Sequence, residues 1–308
     1  MGMFLDLDGK PRCKVQLHCH TTVSDGRKTP EEVLEIYRAA GFDAVALTDH
    51  WKRNEPGEYR GMTVLSGAEY NIGTMDGASF LYGGGVYHII GIGCKTPPEL
   101  ARSPELTPKQ VADAIHAAGG LVVLGHPAWS LNDPYTVSKQ PFYDATEIYN
   151  TVSGVHHGCR PDSSLFVDLL ACYGMTLPLL ATDDAHYYDE DAPISWICIE
   201  GADASQDAVL DAVRRGAFYA TQGPEMHVRR DGDTVFVRCS PCVKITFFSN
   251  RAHSKDRVIR GENLTEGQYE FKQVKVLRDG EEIFDERFLR VEVEDADGKR
   301  AWSNFILR

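Results

Sequence analysis

The feature that most constrains the fold is the alternation of strand-like and helix-like segments over residues 1–223. Apolar runs such as DAVALTDH and LVVLGHP alternate with amphipathic stretches such as TPEEVLEIYRAAG, in which Val33, Ile36, Tyr37 and Ala40 recur at helical spacing. This alternation predicts parallel strands joined by right-handed helical crossovers. Seven strand candidates with near-continuous apolar runs favour a barrel that is buried on both faces, with an open doubly wound sheet as the alternative.

Two of the helical stretches begin with the same local signal. Thr29 is a candidate N-cap, Pro30 occupies the first helical position, Glu32 completes a capping box and Gly41 ends the stretch. The TPKQ segment at residues 107–110 repeats this pattern. These signals predict two helices that begin at their prolines.

The pattern changes after FYATQGP at residues 218–224. Segments such as TVFVRC, KITFFSN, YEFKQVKVL and RFLRVEVE alternate apolar and polar residues, and the Asp-Gly pair in EDADGKRAW is typical of a turn. We therefore predict two domains: a barrel over residues 1–224 and a small antiparallel β-sandwich over residues 225–308. The YGGG run at residues 82–85 is too short to cradle a phosphate and is interpreted as a turn.

Charge is unevenly distributed along the chain. The net charge is −13, from 32 Lys and Arg against 45 Asp and Glu, and residues 224–308 hold 16 of each kind. Residues 1–223 therefore hold the remaining 16 basic and 29 acidic side chains. Because attraction to phosphate backbones comes from Lys and Arg, this acidic excess argues against long nucleic acids as partners and suits a host for bound cations.

The composition, with 43% hydrophobic and 25% charged residues, is typical of a globular protein. No apolar run approaches the ~18 residues of a membrane span, so no membrane partner is expected. The start MGMFLDLDGKPR lacks the layout of a signal peptide and the eight cysteines are scattered, so we expect a cytoplasmic, reducing location. Cys239 and Cys242 form a lone CxxC and are interpreted as an incidental pair.

Candidate metal ligands gather at the predicted carboxyl ends of strands, where barrel enzymes build their sites. In KVQLHCH, strand alternation puts His18 and His20 on one face and Cys19 on the other, where we expect a small core residue. Imidazole and carboxylate groups bind Zn, Mn, Fe and Ni. Nine candidates suit two or three ions better than one: His18, His20, Asp25, His50, Glu69, His88, His126, Asp184 and His186.

These segments resemble the motifs of a known family. HCH followed by Asp25, LTDH at 47–50, GAE at 67–69, YHIIGIG at 87–93, GHP at 125–127 and DAH at 184–186 resemble, in that order, the PHP (polymerase and histidinol phosphatase) family. The resemblance implies a distorted seven-stranded (β/α)7 barrel with a trinuclear metal centre that usually hydrolyses phosphoesters. GAFYATQGP and the closing EDADGKRAWSNFI resemble a branch with a C-terminal β domain, which includes carbaryl-hydrolase-like proteins.

Carried over residue by residue, the resemblance implies three adjoining metal sites. The first takes His18, His20, Glu69 and Asp184; the second shares Glu69 and adds His88 and His126; the third takes Asp25, His50 and His186. Asp25 stands where many family members have histidine. The D-x-H spacing selects Asp184, which leaves Asp183 to orient a ligand or to cap the local backbone.

The implied chemistry uses two to three divalent ions, with Zn, Mn and Fe all open. Two cations held ~3.5–4 Å apart lower the pKa of a shared water, and Glu69 and Asp184 would hold the resulting bridging hydroxide. A third ion can bind phosphoryl oxygens and neutralise developing charge. The mechanism requires no covalent nucleophile from the protein.

Four further residues are candidates for binding substrate. Lys52 and Arg53 follow His50 and offer cations for a phosphate, with a solvated basic turn as the alternative. Asn150 ends the ATEIYN segment and is expected to face the site as a hydrogen-bond donor. His156 lies in the next loop, where it either touches substrate or is a surface histidine.

The sequence leaves three functions open. The first is a metal-dependent phosphoesterase that acts on a small phosphorylated metabolite or nucleotide. The second is a carbamate, amide or ester hydrolase on the same centre, because a metal-activated hydroxide also attacks carbonyls. The third is a degenerate binding module, which is disfavoured because every expected ligand position holds a suitable residue. The C-terminal domain caps the barrel, extends the pocket rim or mediates a homo-oligomer, and the sequence does not choose among these roles.

Overall fold

The structure is a computed structural model that describes residues 4–73, 85–272, 275–278, 281–284 and 286–308. The turn predicted from YGGG lies outside the described residues except for Gly85, and the YEFKQVKVL segment is described only in part. The described strands are β1 (Phe4–Leu5), β2 (Pro11–Gln16), β3 (Ala44–Ala46), β4 (Gly57–Tyr59), β5 (Met62–Leu65), β6 (Gly67–Ile72), β7 (Tyr87–Ile92), β8 (Leu121–Leu124), β9 (Ala145–Asn150), β10 (Leu179–Thr182), β11 (Trp196–Glu200), β12 (Phe218–Thr221), β13 (Met226–Asp231), β14 (Thr234–Ser249), β15 (Val258–Glu270), β16 (Lys275–Arg278), β17 (Glu281–Phe284), β18 (Phe288–Glu294), β19 (Arg300–Trp302) and β20 (Ile306–Leu307). The described α-helices are α1 (Pro30–Ala39), α2 (Pro108–Ala117), α3 (Pro134–Ser138), α4 (Ser164–Cys172) and α5 (Gln206–Arg215).

Both predicted helix starts are confirmed. Thr29 caps α1 and forms a reciprocal capping box with Glu32. Thr107 caps α2 in the same way with Gln110, and a proline occupies the first helical position in each case. These contacts satisfy backbone N–H groups that have no partner within the helix, which is why each helix begins where it does.

A five-stranded sheet departs from the predicted parallel arrangement. Its order is β10-β9-β8-β7-β6, and β8, β9 and β10 are parallel, but β7 runs antiparallel to both β6 and β8. Ile72 pairs with Tyr87, so the connection from β6 to β7 returns the chain to the same end of the sheet, where an antiparallel partner forms. The prediction of uniformly parallel strands is therefore wrong for β7.

A thirteen-stranded sheet contains β2, β3 and β5 side by side in parallel register. Only Ser66 separates β5 from β6, which belongs to the five-stranded sheet. Isolated bridges also join His50 to Glu69 and Cys19 to Ala185. In each pair, the first residue follows a strand of the thirteen-stranded sheet, and the second lies in or follows a strand of the five-stranded sheet. These links bring strand ends from both sheets together within a mixed α/β fold.

Residues 225–308 form antiparallel strands, as the alternating pattern predicts. They extend the thirteen-stranded sheet, since β19 pairs with β12 through Ala220–Trp302 and Thr221–Ala301. β14 is longer than predicted, at 16 residues, and bulges interrupt its pairing with β15. With the exception of the short β16–β17 pair, the described strands after residue 224 therefore belong to the same sheet as strands that precede it.

Buried apolar side chains form one large cluster, drawn mainly from β2 to β12, a second around β14 and β18, and a third around α1. The first cluster includes Trp302 and the second includes Cys198 and Tyr219, so both span residue 224, where the domain boundary remains a prediction. Buried Arg290 on β18 crosses it with a bidentate ion pair to Asp168 of α4, at 2.6 and 2.8 Å. Within the described residues, none of the helices has the length and apolar character that crossing a membrane requires.

Candidate metal centre

Four side chains converge on a first group of donor atoms. The Nε2 atoms of His18 and His20 lie 3.1 and 3.0 Å from Asp184 Oδ1. The same nitrogens lie 3.3 and 3.1 Å from Glu69 Oε2. All four residues are buried, and their donor atoms lie within 4.8 Å of one another, close enough to hold one ion. This set is the one expected for the first metal site.

A second group of donors surrounds Glu69. His88 Nδ1 lies 2.6 Å and His126 Nε2 lies 3.4 Å from Glu69 Oε1. His50 Nδ1 approaches the other carboxylate oxygen, Oε2, to 3.2 Å. The structure thus brings His88 and His126 to Glu69, as expected for the second site, and places His50 within reach of it.

The third group is the most exposed. Asp25 Oδ1 lies 3.5 Å from His20 Nδ1 and 3.6 Å from His186 Nε2, and Asp25 Oδ2 lies 3.7 Å from His50 Nε2. The Asp25 side chain is 53% exposed, whereas those of His50 and His186 are 21% and 19% exposed. The residues expected for the third site therefore meet at the outer edge of the cluster, with His20 shared with the first group.

The loop that carries Asp25 is held by hydrogen bonds to Asp49 and by close packing at Gly26. Asp49 Oδ1 accepts hydrogen bonds from the Thr21 backbone N–H at 2.7 Å and from the Ser24 hydroxyl at 2.8 Å. A Cβ atom on Gly26 would lie 2.4 Å from the His20 carbonyl oxygen. Glycine at position 26 therefore allows the loop to pack directly against the backbone of a candidate ligand.

Two candidate ligands have left-handed backbone conformations. His126 and Asp184 have φ angles of 24° and 52°. Such angles are strained for residues with side chains and persist where the surroundings hold them in place. Each residue lies two positions after the last residue of a strand, β8 for His126 and β10 for Asp184. The unusual backbone conformation therefore occurs where the chain leaves the strand and the side chain enters the cluster.

Glu147 is a part of the site that sequence reasoning missed. It is fully buried on β9, and its Oε1 accepts hydrogen bonds from His18 Nδ1 at 2.7 Å and from the Thr182 hydroxyl at 2.6 Å. Its Oε2 accepts from the His126 backbone N–H at 2.7 Å and from Asn150 Nδ2 at 2.8 Å. Because Nδ1 of His18 donates to this carboxylate, Nε2 carries its lone pair toward the other ligands. A glutamate inside the apolar segment ATEIYN was the signal available in the sequence.

Asn150, predicted to bind substrate, instead orients a candidate ligand. Its Nδ2 donates to Glu147 and, at 3.2 Å, to Asp184 Oδ2, while its Oδ1 accepts from Ser153. The side chain is fully buried and does not line the cavity above the cluster. Its hydrogen-bonding groups are thus occupied by the protein.

Asp183 takes the structural role among the two considered for it. It accepts hydrogen bonds from the backbone N–H groups of Ile194 and Ser195 at 3.0 and 2.7 Å, and from the Tyr37 hydroxyl at 3.0 Å. Burial raises the pKa of Asp183 to about 7, against the lowering effect of these hydrogen bonds. It therefore ties α1 and the segment before β11 to the strand end that presents Asp184.

The cysteines of the two motifs lie away from the cluster. Cys19 is fully buried and its thiol faces the Ala46 carbonyl at 3.4 Å, as expected for a small core residue. Cys239 and Cys242 are buried within β14 with their sulfur atoms 3.6 Å apart. Among the described residues, neither belongs to a group of three or more metal-binding side chains.

Charge pairing dominates the cluster. Burial lowers the pKa of His20, but hydrogen bonds to Asp184 and Glu69 outweigh it and raise that pKa to about 9. Burial also opposes protonation of His18, whose pKa is nevertheless held well above its usual value by Asp184, Glu69 and Glu147. Burial favours neutral Glu69, yet His88 and His18 hold its pKa well below its usual value. The carboxylates thus favour positive charge beside them, which protonated histidines or bound cations can supply.

The donor atoms themselves fit divalent metal ions. His88 Nε2 is buried without a hydrogen-bond partner among the described residues. His50 Nδ1 and Asp184 Oδ1 are buried beside other candidate ligands only, Glu69 for the first and the His18 and His20 rings for the second. Leaving buried polar atoms unpaired is costly, so such atoms usually mark a ligand or ion. Imidazole and carboxylate are suitable ligands for Zn, Mn and Fe, and the groups of three and four donors are of the right size.

A cavity of about 420 Å³ opens above the cluster. His156 lines it, but Lys52 and Arg53 do not. The Arg53 guanidinium is bound to the Cys94 carbonyl at 2.9 Å and to Glu55, so its hydrogen-bonding capacity is directed away from the cavity. The remaining lining combines the cluster with Asn71, Trp129, Val152, Ser153, Val155, His157, Gly158 and Tyr187.

Comparison with solved structures identifies a protein with the same overall fold. A two-domain protein containing a predicted PHP-like metal-dependent phosphoesterase from Bacteroides vulgatus matches with a TM-score of 0.52 and 15% sequence identity. The match covers 99% of this chain and 98% of that one. The resemblance of the motifs is thereby confirmed at the level of the overall fold, whereas the seven-stranded barrel stays a prediction.

Two more distant structures also match. One, described as a metal-dependent phosphoesterase from Bifidobacterium adolescentis, has a TM-score of 0.42 and 16% identity, over 67% of this chain and 97% of that one. The other, an amidohydrolase from Chromobacterium violaceum, has a TM-score of 0.40 and 17% identity, over 57% of this chain and 89% of that one. No family model matches the sequence, and no curated protein matches it.

Proposed function

We propose that this chain is a metal-dependent hydrolase that cleaves a phosphoester of a small phosphorylated metabolite or nucleotide. The observation that carries the proposal is the convergence of eight imidazole and carboxylate side chains in three overlapping groups below one cavity, with His126 beside Glu69 as a ninth. The PHP-like fold shared with the Bacteroides vulgatus protein supports it. We further propose that the strands around the cluster form the distorted seven-stranded barrel.

The proposed assignment uses two to three divalent ions of Zn, Mn or Fe. His18, His20, Glu69 and Asp184 would hold the first ion, Glu69 with His88 and His126 the second, and Asp25 with His50 and His186 the third. When bound, such ions would lower the pKa of a coordinated water and neutralise charge on the phosphoryl group. Glu69 is central because its two oxygens face different groups of histidines.

The residues of the chain do the positioning. Glu147 holds the His18 ring with its Nε2 toward the cluster, and Asn150 holds the Asp184 carboxylate. Both interactions are buried, so they restrict the ligands before substrate enters. A site whose groups are already oriented needs little rearrangement at the moment of reaction, which is the main source of catalysis by charged sites.

A second candidate function is hydrolysis of a carbamate, amide or ester on the same centre. The observation that favours it is the absence of Lys and Arg among the described residues that line the cavity. A phosphoesterase often adds such a cation to bind the phosphate, whereas a neutral carbonyl substrate needs none. The chemistry of water activation would be the same for either bond.

Elemental analysis of the purified protein, combined with assays of matched substrates, tests both functions. We expect two to three transition-metal equivalents per chain, falling in His18→Ala and Asp184→Ala but not in His116→Ala, whose exposed ring pairs with Asp144 outside the cluster. Less than one equivalent, unchanged by the first two substitutions and not restored by added Mn or Zn, would refute a metal hydrolase. Turnover of phosphoesters but not carbamates would select the first function, and the reverse would select the second.

A further inference from the structure

The cavity above the cluster carries no fixed positive charge beyond its histidines. Among the described lining residues there are three carboxylates, Asp25, Glu69 and Asp184, and no Lys or Arg. In the sequence, residues 74–84, TMDGASFLYGG, contain no Lys or Arg either. Among the described residues, attraction for a substrate anion must therefore come from the histidines and from ions held at the floor.

This charge distribution limits how many anionic groups a substrate carries. Two or three divalent ions would bring about four to six positive charges against the three carboxylates, a surplus suited to a single phosphoryl group. A second phosphate or carboxylate, placed farther up the cavity, would lose its water without gaining a cation. The part of the substrate that occupies the upper cavity is therefore uncharged.

Among the described residues that line the cavity, Trp129 presents an aromatic surface that no described ring covers. The half-buried Trp129 indole contacts the rings of His88 and His126 at centroid distances of 5.6 and 5.1 Å, both in edge geometry. Among the described residues, no ring stacks parallel to it and its indole N–H makes no hydrogen bond. Within this part of the chain, Trp129 thus lies beside two candidate metal ligands with an uncovered ring surface and an unused donor.

The other aromatic wall is already covered. The Tyr187 ring has the His156 ring at a centroid distance of 4.0 Å and the Arg27 guanidinium 4.4 Å from its centroid. These contacts cover the π surface of the Tyr187 ring within the protein. Val152 and Val155 add apolar surface to the same cavity. Trp129 is the described aromatic side chain best placed to meet a substrate.

We propose that the substrate carries one phosphoryl group and a flat, uncharged ring, and that Trp129 sets this specificity by packing against the ring. This inference rests on the proposed phosphoesterase function. Aromatic rings that meet in stacked or edge geometry gain more than burial alone provides. A saturated group of the same size and charge lacks this gain, so it should bind and react more weakly.

Matched probes separate the contribution of the ring from that of the reacting group. Benzyl phosphate and cyclohexylmethyl phosphate have the same charge, similar size and primary alkoxide leaving groups, and differ in whether the ring is flat. We expect kcat/KM for the benzyl ester to be about fivefold higher or more. 4-Carboxybenzyl phosphate, which adds a second negative charge, should react about tenfold more slowly than benzyl phosphate.

Binding provides a readout that does not depend on turnover. Isothermal titration of the metal-loaded protein with benzylphosphonate and cyclohexylmethylphosphonate, which cannot be hydrolysed at oxygen, should show about fivefold tighter binding of the flat probe. Trp129→Leu should abolish this preference and Trp129→Phe should retain most of it. Tyr135→Leu, which changes an exposed aromatic residue outside the cavity, should leave it unchanged.

The outcomes distinguish the inference from the proposed function. Equal binding of the two phosphonates, or a preference that survives Trp129→Leu in a folded variant, would overturn the role of Trp129 and leave phosphoester hydrolysis intact. Selective phosphonate binding without hydrolysis of any ester would overturn the phosphoesterase function while retaining the ring-binding role. Thermal melts of each variant identify any loss of folding.

Discussion

Replacing Glu147 by glutamine keeps the shape of the side chain but changes what its end group can accept. The carboxylate receives four hydrogen bonds, two at each oxygen. An amide has a single acceptor oxygen, so its NH2 group must face one pair of donors. At one end that pair is the His126 backbone N–H, which cannot accept, and the Asn150 amide, whose oxygen already accepts from Ser153.

At the other end, the Thr182 hydroxyl and the His18 ring can both accept from the amide, but the change at His18 affects a candidate metal ligand. The Thr182 hydroxyl can rotate to accept, and His18 can accept at Nδ1 only by moving its proton to Nε2. That proton would then occupy the nitrogen that faces Glu69 and Asp184. We therefore expect Glu147→Gln to weaken metal binding about 10- to 100-fold, which corresponds to about 1.4 to 2.8 kcal/mol.

The assay is competition for zinc or manganese against a chelator, with Glu99→Gln as the control because Glu99 is exposed. Nitrogen-15 NMR of the imidazole rings should show His18 changing from the Nδ1–H to the Nε2–H tautomer in the variant. The two variants should have similar circular dichroism spectra in the absence of metal. Unchanged metal affinity in a folded Glu147→Gln protein would refute the argument that this carboxylate sets the His18 tautomer.

Three other outcomes follow from the same structure. Arg290→Met should destabilise the protein by about 3–5 kcal/mol in urea unfolding, because it leaves the Asp168 carboxylate without its buried partner, whereas Arg215→Met on an exposed helix face should have little effect. Saturating zinc or manganese should raise the melting temperature, and binding at 100 times Kd should add about 2.7 kcal/mol per site; a melting temperature independent of metal would contradict a folded metal site. Gly26→Ala should cost about 1–3 kcal/mol through the clash with a ligand backbone, whereas Gly57→Ala, with no atom within 4 Å, should be tolerated in thermal melts.

The parts of the fold that could be predicted are those governed by local signals. Capping residues placed the starts of α1 and α2, and apolar runs placed most strands of the first part of the chain. The direction of β7 could not be predicted, because it depends on which end of the sheet a connection returns to. The pairing of β19 with β12 was equally hidden, since an alternating strand does not specify its partner.

The candidate ligands come together because segments of both sheets meet in this fold. His18, His126 and Asp184 follow strands, as the sequence predicts, whereas Glu69 lies within β6 and His88 near the start of β7. The sequence did not show which neighbouring residues orient the candidate ligands and which are available to a substrate. Asn150 and Arg53 are residue types that bind substrates, but contacts within the protein, to Glu147 and to the Cys94 carbonyl, already occupy them. Glu147 and His18 lie 129 residues apart in sequence, so only the contact between their side chains in the folded chain reveals the role of Glu147.

The packing around β9 also bears on the role of the C-terminal strands. Trp302 on β19 is fully buried within the larger apolar cluster and stacks on Tyr149 at a centroid distance of 5.4 Å. The pairing of β9 with β10 shifts register between Glu147 and Tyr149, which lets Glu147 and Asn150, three residues apart, share one side of the strand, where they are hydrogen-bonded. Tyr149, next to Asn150, points to the other side. The C-terminal strands therefore support, from behind, the strand whose front face orients two candidate metal ligands. Because packed side chains transmit small displacements, the geometry of the metal centre depends on residues far from it along the chain.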